Sequence, residues 1–407
     1  MRTETRMSTV ASDLKVPAEV KLPIYMDNHA TTPVDPRVLE AMLPYFTTKF
    51  GNAASRNHCF GWEAEKAVNE AREQIAQLIG ATAKEIIFTS GATESDNLAI
   101  KGVAEMYRER GNHIITQTTE HKAVLDTCKR LEKHGFRVTY LPVKDDGVID
   151  LEDLKRAMDD QTILVSIMAA NNEIGTLQPV SELGAVCRER GIVFHTDAVQ
   201  WFGKEPFENI HQFNADLVSV CAHKFHGPKG AGLLYIKSPL HPDPIFFGGG
   251  HENERRAGTE NLPAIIGLVK ALELFVSTPV FSQTKIKPLA DKLVSAIEKI
   301  DGCELVSPRE NCLANTVAFV VRGADGIALM AGLDMEGICA SSGSACSAGS
   351  LEPSHVILAI GKMEEANSLV RFSLGRNSSE AEVDFVCSVL PEFIRRAQLG
   401  GLAAKRL

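Results

Sequence analysis

Residues 112–135 read NHIITQTTEHKAVLDTCKRLEKHG: a β-branched apolar run, a short polar break, and then the amphipathic stretch HKAVLDTCKRLEKHG. The first run has the length and composition of a buried strand, and the second has the pattern of a helix with one apolar face. Runs like the first recur between about residues 85 and 236, as EIIFTS, TILVSIM, GIVFHT, ADLVSVC and GAGLLYI, with helical patterns between several of them. Such alternation predicts βαβ units, hence an α/β fold with a mostly parallel central sheet covered by helices. Ligands of these sheets collect beyond the carboxyl ends of the strands, so the residues that follow each run are the ones to read.

Past about residue 271 the pattern changes to a long amphipathic helix around IKPLADKLVSAIEKI, a strand NTVAFVV, a loop of small residues, a strand LVRFSLG and a terminal helix. Ser379 and Glu382 have the capping-box spacing for the start of that last helix. These elements predict a second, smaller α+β domain.

The chain has 407 residues, of which 44% are hydrophobic and 23% charged, an ordinary balance for a globular protein with a substantial core. Its formal net charge is -9 and no lysine or arginine tract occurs, which argues against nucleic acid as a partner. No stretch supplies the roughly 18 uninterrupted apolar residues of a membrane span. The first twenty residues lack the apolar core of a signal peptide, so a cytoplasmic protein with a frayed tail over 1–20 is expected. The nine cysteines show no short paired spacing, so neither a disulfide framework nor a metal site is expected.

The strand ends hold a consistent set of groups. Lys224 follows ADLVSVC, with His223 before it and His226 beyond; an amine there is a competent nucleophile for a carbonyl, although a loop lysine is more often merely solvated. The two histidines have no third ligand at a metal spacing. Asp197 ends GIVFHTD, with Gln200 three residues on. A carboxylate there suits a protonated ring nitrogen, but read alone it favours a helix cap. Gly91, Ala92 and Thr93 open the helix after EIIFTS and offer amides and a hydroxyl to an anion. His121 stands at the same rim, where a neutral imidazole could lie on an aromatic ring, and Asn172 adds an amide. An aldehyde cofactor bearing a phosphate and a ring nitrogen would use each of them.

Residues 340–350, ASSGSACSAGS, place Cys346 where no side chain is large enough to bury it. Such a thiol is out of place as a core residue.

With these residues in view, the sequence resembles the pyridoxal-phosphate-dependent cysteine desulfurases, of the NifS and IscS type within the class-V aminotransferases. The resemblance runs from YMDNHATTPVDPRV near residue 25 to RFSLGR near 376. Its landmarks include FGNAASRNH, FTSGATESDNLAIKG, TEHKAVLD, NNEIG, TDAVQ, AHKFHGPKG, GGGHENERRAGTEN and SSGSAC. It implies a fold type I pyridoxal phosphate transferase, with a large domain over 34–271 and a small domain from 21–33 and 272–398. It further implies that Lys224 holds the cofactor and serves as the base at the substrate α-carbon, that Asp197 pairs with the pyridinium, and that His121 stacks on the ring and shuttles protons. Gln200 would bond the phenolic oxygen; Ala92, Thr93, Cys221 and His223 would hold the phosphate. Thr259 would reach the phosphate of a second subunit, implying a homodimer. Arg371, with Asn172 beside it, would clamp the carboxylate of L-cysteine. Cys346 would attack the substrate sulfur, carry it as a persulfide and pass it to a sulfur acceptor or iron–sulfur scaffold protein; its thiol proton would go to His121, the first candidate, or to the departing substrate.

Two departures stand out. Many relatives have serine where this chain has Cys221, a weaker hydrogen-bond donor. AQLGGLAAKRL is expected to follow the last helix, without the longer tail with which the housekeeping enzymes of this family dock their scaffold, which leaves the acceptor open. A selenocysteine lyase, an aminotransferase and a catalytically silent cofactor-binding protein are the alternatives; the thiol of Cys346 speaks for the desulfurase.

Overall fold

A computed structural model describes residues 16–343 and 353–404. The chain divides into two compact units. The large one comprises Thr31–Asn171 and Thr176–Val280; the other takes the described residues of Met1–Ala30, Asn172–Gly175 and Phe281–Leu407.

The large unit is built on seven strands: β1 (Ile86–Thr89), β2 (His113–Gln117), β3 (Arg137–Leu141), β4 (Thr162–Ser166), β5 (Val193–Asp197), β6 (Leu217–Cys221) and β7 (Gly232–Ile236). Their order across the sheet is β1-β7-β6-β5-β4-β2-β3. All neighbours run parallel except β7, which is antiparallel to both β6 and β1. The exception follows from the short 222–231 connection, since a parallel return needs a crossover of about a dozen residues or more. Every strand but the edge strand β3 is buried along its whole length. That burial is why these strands read as continuous apolar runs rather than as alternations.

Helices α1 (Cys59–Ile79), α2 (Ala92–Met106), α3 (Lys122–Glu132), α4 (Val180–Glu189) and α5 (Leu262–Phe275) belong to the same unit. Leu98, Ala99 and Val103 of α2 and Val124 and Cys128 of α3 pack with Ile114, Leu164 and Leu217 of the sheet in one apolar core. α5 spans residue 271, and the large unit continues beyond it to Val280.

The second unit has an antiparallel sheet in the order β10-β9-β8, formed by β8 (Cys303–Leu305), β9 (Thr316–Val321) and β10 (Leu369–Ser373). The helices α6 (Gln283–Ile297) and α7 (Glu380–Ala404) belong to it, and α7 takes in Ala397–Ala404, which the sequence placed after the last helix. The capping box that opens α7 is formed: Ser379 N donates to Glu382 Oε2 at 2.9 Å, and Glu382 N donates to Ser379 Oγ at 3.3 Å. Ile24–Tyr25 pairs in parallel with Ile338–Cys339, which draws the N-terminal segment into this unit. Isolated bridges join Asp27 to Ser373 and Ser341 to Arg371.

Candidate active site

In the large unit the parallel strands bring their carboxyl ends to one edge, where they deliver the residues singled out from the sequence. Lys224 closes a one-turn 3-10 helix, Ala222–Lys224, directly after β6. The next turn is strained, because His226 adopts φ 67°, a left-handed conformation that a side chain rarely takes. Thr32 holds it there: its Oγ1 accepts from His226 N at 2.8 Å and donates to His223 O at 2.9 Å. His226 Nδ1 also meets Pro33 O at 2.8 Å. The HATTP segment is therefore a brace for the Lys224 turn. The sequence reading passed over this role because nothing local marks a partner almost 200 residues away.

Asp197 ends β5 beside Ser219 of β6 in the strand register. It is buried, and its Oδ1 accepts from Val199 N at 2.9 Å, so the turn-capping role favoured by the residue alone is present. Burial pushes its carboxyl up to about 6, against the Val199 amide and the Lys224 charge, which favour the carboxylate. A cation placed against it would reverse that penalty, and a pyridinium is such a cation. Gln200 is buried, and Lys204 Nζ donates to its Oε1. That contact orients the amide so that Nε2, a pure donor, points away from the lysine. Lys204 is only 1% exposed and had no reading of its own in the sequence. Its one signal was a lysine one helical turn past Gln200.

His121 is the N-cap of α3, with Ala123 N donating to Nδ1 at 3.1 Å. A backbone amide can only donate, so in the neutral ring Nδ1 carries the lone pair and Nε2 the proton. In that tautomer His121 presents Nε2 as a proton donor.

At the start of α2, Gly91 provides no side-chain cap, and Ala92 is the first helical residue. Thr93 is exposed. Cys221 is buried, with the Ala92 and His223 amides directed toward it; burial still lifts the thiol above its ordinary value. His223 Nδ1 contacts Thr31 Oγ1 at 3.1 Å, and burial, aided by nearby lysine charge, lowers the imidazole to about 3. These groups fit the phosphate and ring of pyridoxal phosphate: amides at a helix start, a neutral imidazole, and a buried acid for the ring nitrogen. Cys221→Ser, which restores a stronger donor, is expected to tighten cofactor binding about two- to fivefold. Titration of the apoprotein with pyridoxal phosphate checks this. Thr259 lies exposed on the 248–261 loop of the same unit.

The second unit holds the remaining candidates. Arg371, in β10, is 1% exposed. Its Nη1 donates to Asn172 O at 2.6 Å and to Gly343 O at 2.7 Å, and its Nη2 to Asp27 Oδ1 at 2.6 Å. Asn172 thus meets Arg371 through its carbonyl, and its four-residue segment joins this unit rather than the large one. On the far side of the small-residue loop, Ser354 Oγ donates to Glu173 Oε2 at 2.6 Å. Cys346 lies outside the described residues, but both ends of its loop are tied. Asp27 and Glu173 had no reading of their own in the sequence.

A family model described as aminotransferase class-V matches residues 24–386. The cysteine desulfurase IscS of Rickettsia massiliae (strain Mtu5) is 50% identical over 376 residues, covering 91% of each chain. That of Rickettsia felis is 50% identical over 373 residues, 91% of this chain and 90% of the relative. Among solved structures, a NifS-like protein matches with a TM-score of 0.86 and 39% identity, over 92% of this chain and 100% of its own. One described as SspA in complex with cysteine matches at 0.77 and 38%, over 87% and 99%. The chain belongs to the class-V aminotransferase family, among its pyridoxal-phosphate-dependent cysteine desulfurases.

Proposed function

We propose that the enzyme converts L-cysteine to L-alanine, takes the sulfur onto Cys346 as a persulfide, and passes it to an acceptor in iron–sulfur cluster assembly. The observation that carries this reading is the bond from Arg371 to Gly343 O at 2.7 Å, which ties the candidate carboxylate anchor to a point three residues before Cys346.

Pyridoxal phosphate, when bound, supplies an electron sink that acidifies the substrate α-carbon. With the cofactor bound, Asp197 would keep the ring nitrogen protonated, and Gln200 would donate from Nε2 to the phenolic oxygen. Thr93, Cys221, His223 and the Ala92 amide would hold the phosphate, joined by Thr259 of a second copy. Lys224 would anchor the aldehyde and move the proton at the α-carbon. Arg371 and Asn172 orient the α-carboxylate. His121 first delivers the proton on Nε2 and can then accept the one from Cys346. The Cys346 thiolate attacks the substrate sulfur: an S–S bond forms, the Cβ–S bond breaks with its electron pair left on carbon, and Cβ takes up a proton.

Exposed apolar side chains on the large unit, including Leu43, Phe46, Phe50, Phe60 and Trp62, support a homodimer. No helix among the described residues is long and apolar enough to cross a membrane. Incubation with L-cysteine without reductant, followed by mass spectrometry of the Cys346 peptide, tests the proposal. One added sulfur on Cys346 is expected; the sulfur appearing only on another cysteine would refute it.

A further inference from the structure

Arg371 offers five N–H donors in a rigid fork, and their use is uneven. Nη1 serves the carbonyls of Asn172 and Gly343. Nη2 gives one bond to Asp27 Oδ1. Nε is buried and has no hydrogen-bond partner among the described residues. The Nε and Nη2 edge is a pair of parallel donors suited to both oxygens of one carboxylate. Here that edge is half used, by an acid bound through a single oxygen.

Of the two partners, Arg371 is the fixed one. Its side chain is 1% exposed, and its main chain is paired with Ala318 on one side and bridged to Ser341 on the other. Moving it would strip two carbonyls of their donor. The Asp27 side chain is 20% exposed and lies just past the two-residue strand Ile24–Tyr25. That exposure gives the Asp27 carboxylate access to solvent that the Arg371 side chain lacks. Exchange at this ion pair therefore falls to Asp27.

We propose that Asp27 is a resident counter-ion that the substrate α-carboxylate must displace from Arg371, so that Asp27 raises the KM for L-cysteine and limits the preference for a charged carboxylate. The proposal rests on the reading of Arg371 as the α-carboxylate anchor. The swap replaces one carboxylate by another, so the buried guanidinium is never left without a counter-charge. The entering ligand gains because it fills both Nε and Nη2, where Asp27 fills one. A neutral ester brings no charge to replace that of Asp27 and competes poorly.

The test uses the full-length holoenzyme with Asp27→Asn, which keeps the side-chain shape and removes the charge, and with Asp27→Ser should the first prove unstable. Steady-state rates are compared for L-cysteine and L-cysteine methyl ester. The KM for L-cysteine is expected to fall about tenfold with kcat within about twofold, the size of effect one charge-assisted hydrogen bond carries. The preference for L-cysteine over the ester is expected to rise. An unchanged or raised KM, or a fall in that preference, overturns the proposal, because a residue that merely positions Arg371 would act in that direction. Arg371→Lys separates the two readings. A raised KM in that variant upholds the anchor whatever Asp27→Asn does, and an unchanged KM removes the anchor and the proposal with it.

Discussion

Lys224→Ala is expected to lower alanine formation from L-cysteine by about 10³-fold or more. In the proposed function the amine has two tasks, anchoring the aldehyde and moving the α-proton, and general acid–base transfer alone contributes about 10²- to 10⁴-fold. Lys224 stands in a turn that the fold keeps in a strained form, with His226 held left-handed by Thr32 and Pro33. That strain is placed where the position of the amine matters most. A second readout separates lost chemistry from lost fold: the variant should retain its circular dichroism but release pyridoxal phosphate on gel filtration. Lys224→Arg keeps the positive charge beside Asp197 and should be equally inactive, since guanidinium is not a nucleophile at neutral pH. More than about a tenth of the original rate in either variant would remove Lys224 from its assigned role.

The second large effect is expected at Cys346. Cys346→Ser should reduce alanine formation to less than about a thousandth while leaving cofactor binding unchanged. The reacting form is the thiolate, and an ordinary cysteine pKa of about 8.5 leaves a few per cent of it at neutral pH. A serine hydroxyl has no comparable anionic fraction and attacks sulfur poorly. The assay is alanine production by both enzymes at saturating L-cysteine. Full activity in the variant would exclude the thiol attack and favour a lyase that releases its product atom directly.

The placement of Lys224, Asp197 and His121 at the strand ends was legible in the sequence because parallel βαβ units send every strand end to one edge, so a polar residue after an apolar run has a known address. The capping box at Ser379 and Glu382 was legible because both partners lie within one helical turn. Thr32, Asp27 and Glu173 were not, because their bonds to the 223–226 turn, Arg371 and Ser354 join segments between 181 and 344 residues apart. The orientation of His121 was hidden for a different reason. Only the bond from Ala123 N to Nδ1 shows which ring nitrogen carries the proton. Asn172 was placed at the large sheet's edge because it follows β4, whereas its carbonyl bond to Arg371 belongs to the other unit.

The central claim is that sulfur leaves the substrate by being stored on the protein. Its most direct measurement is the amount of alanine released per enzyme from excess L-cysteine, with and without a thiol reductant. Release is expected to stop near one equivalent per Cys346 without reductant and to continue when reductant is added. Sustained release without any acceptor, or none in either condition from enzyme that holds its pyridoxal phosphate, would contradict storage on Cys346.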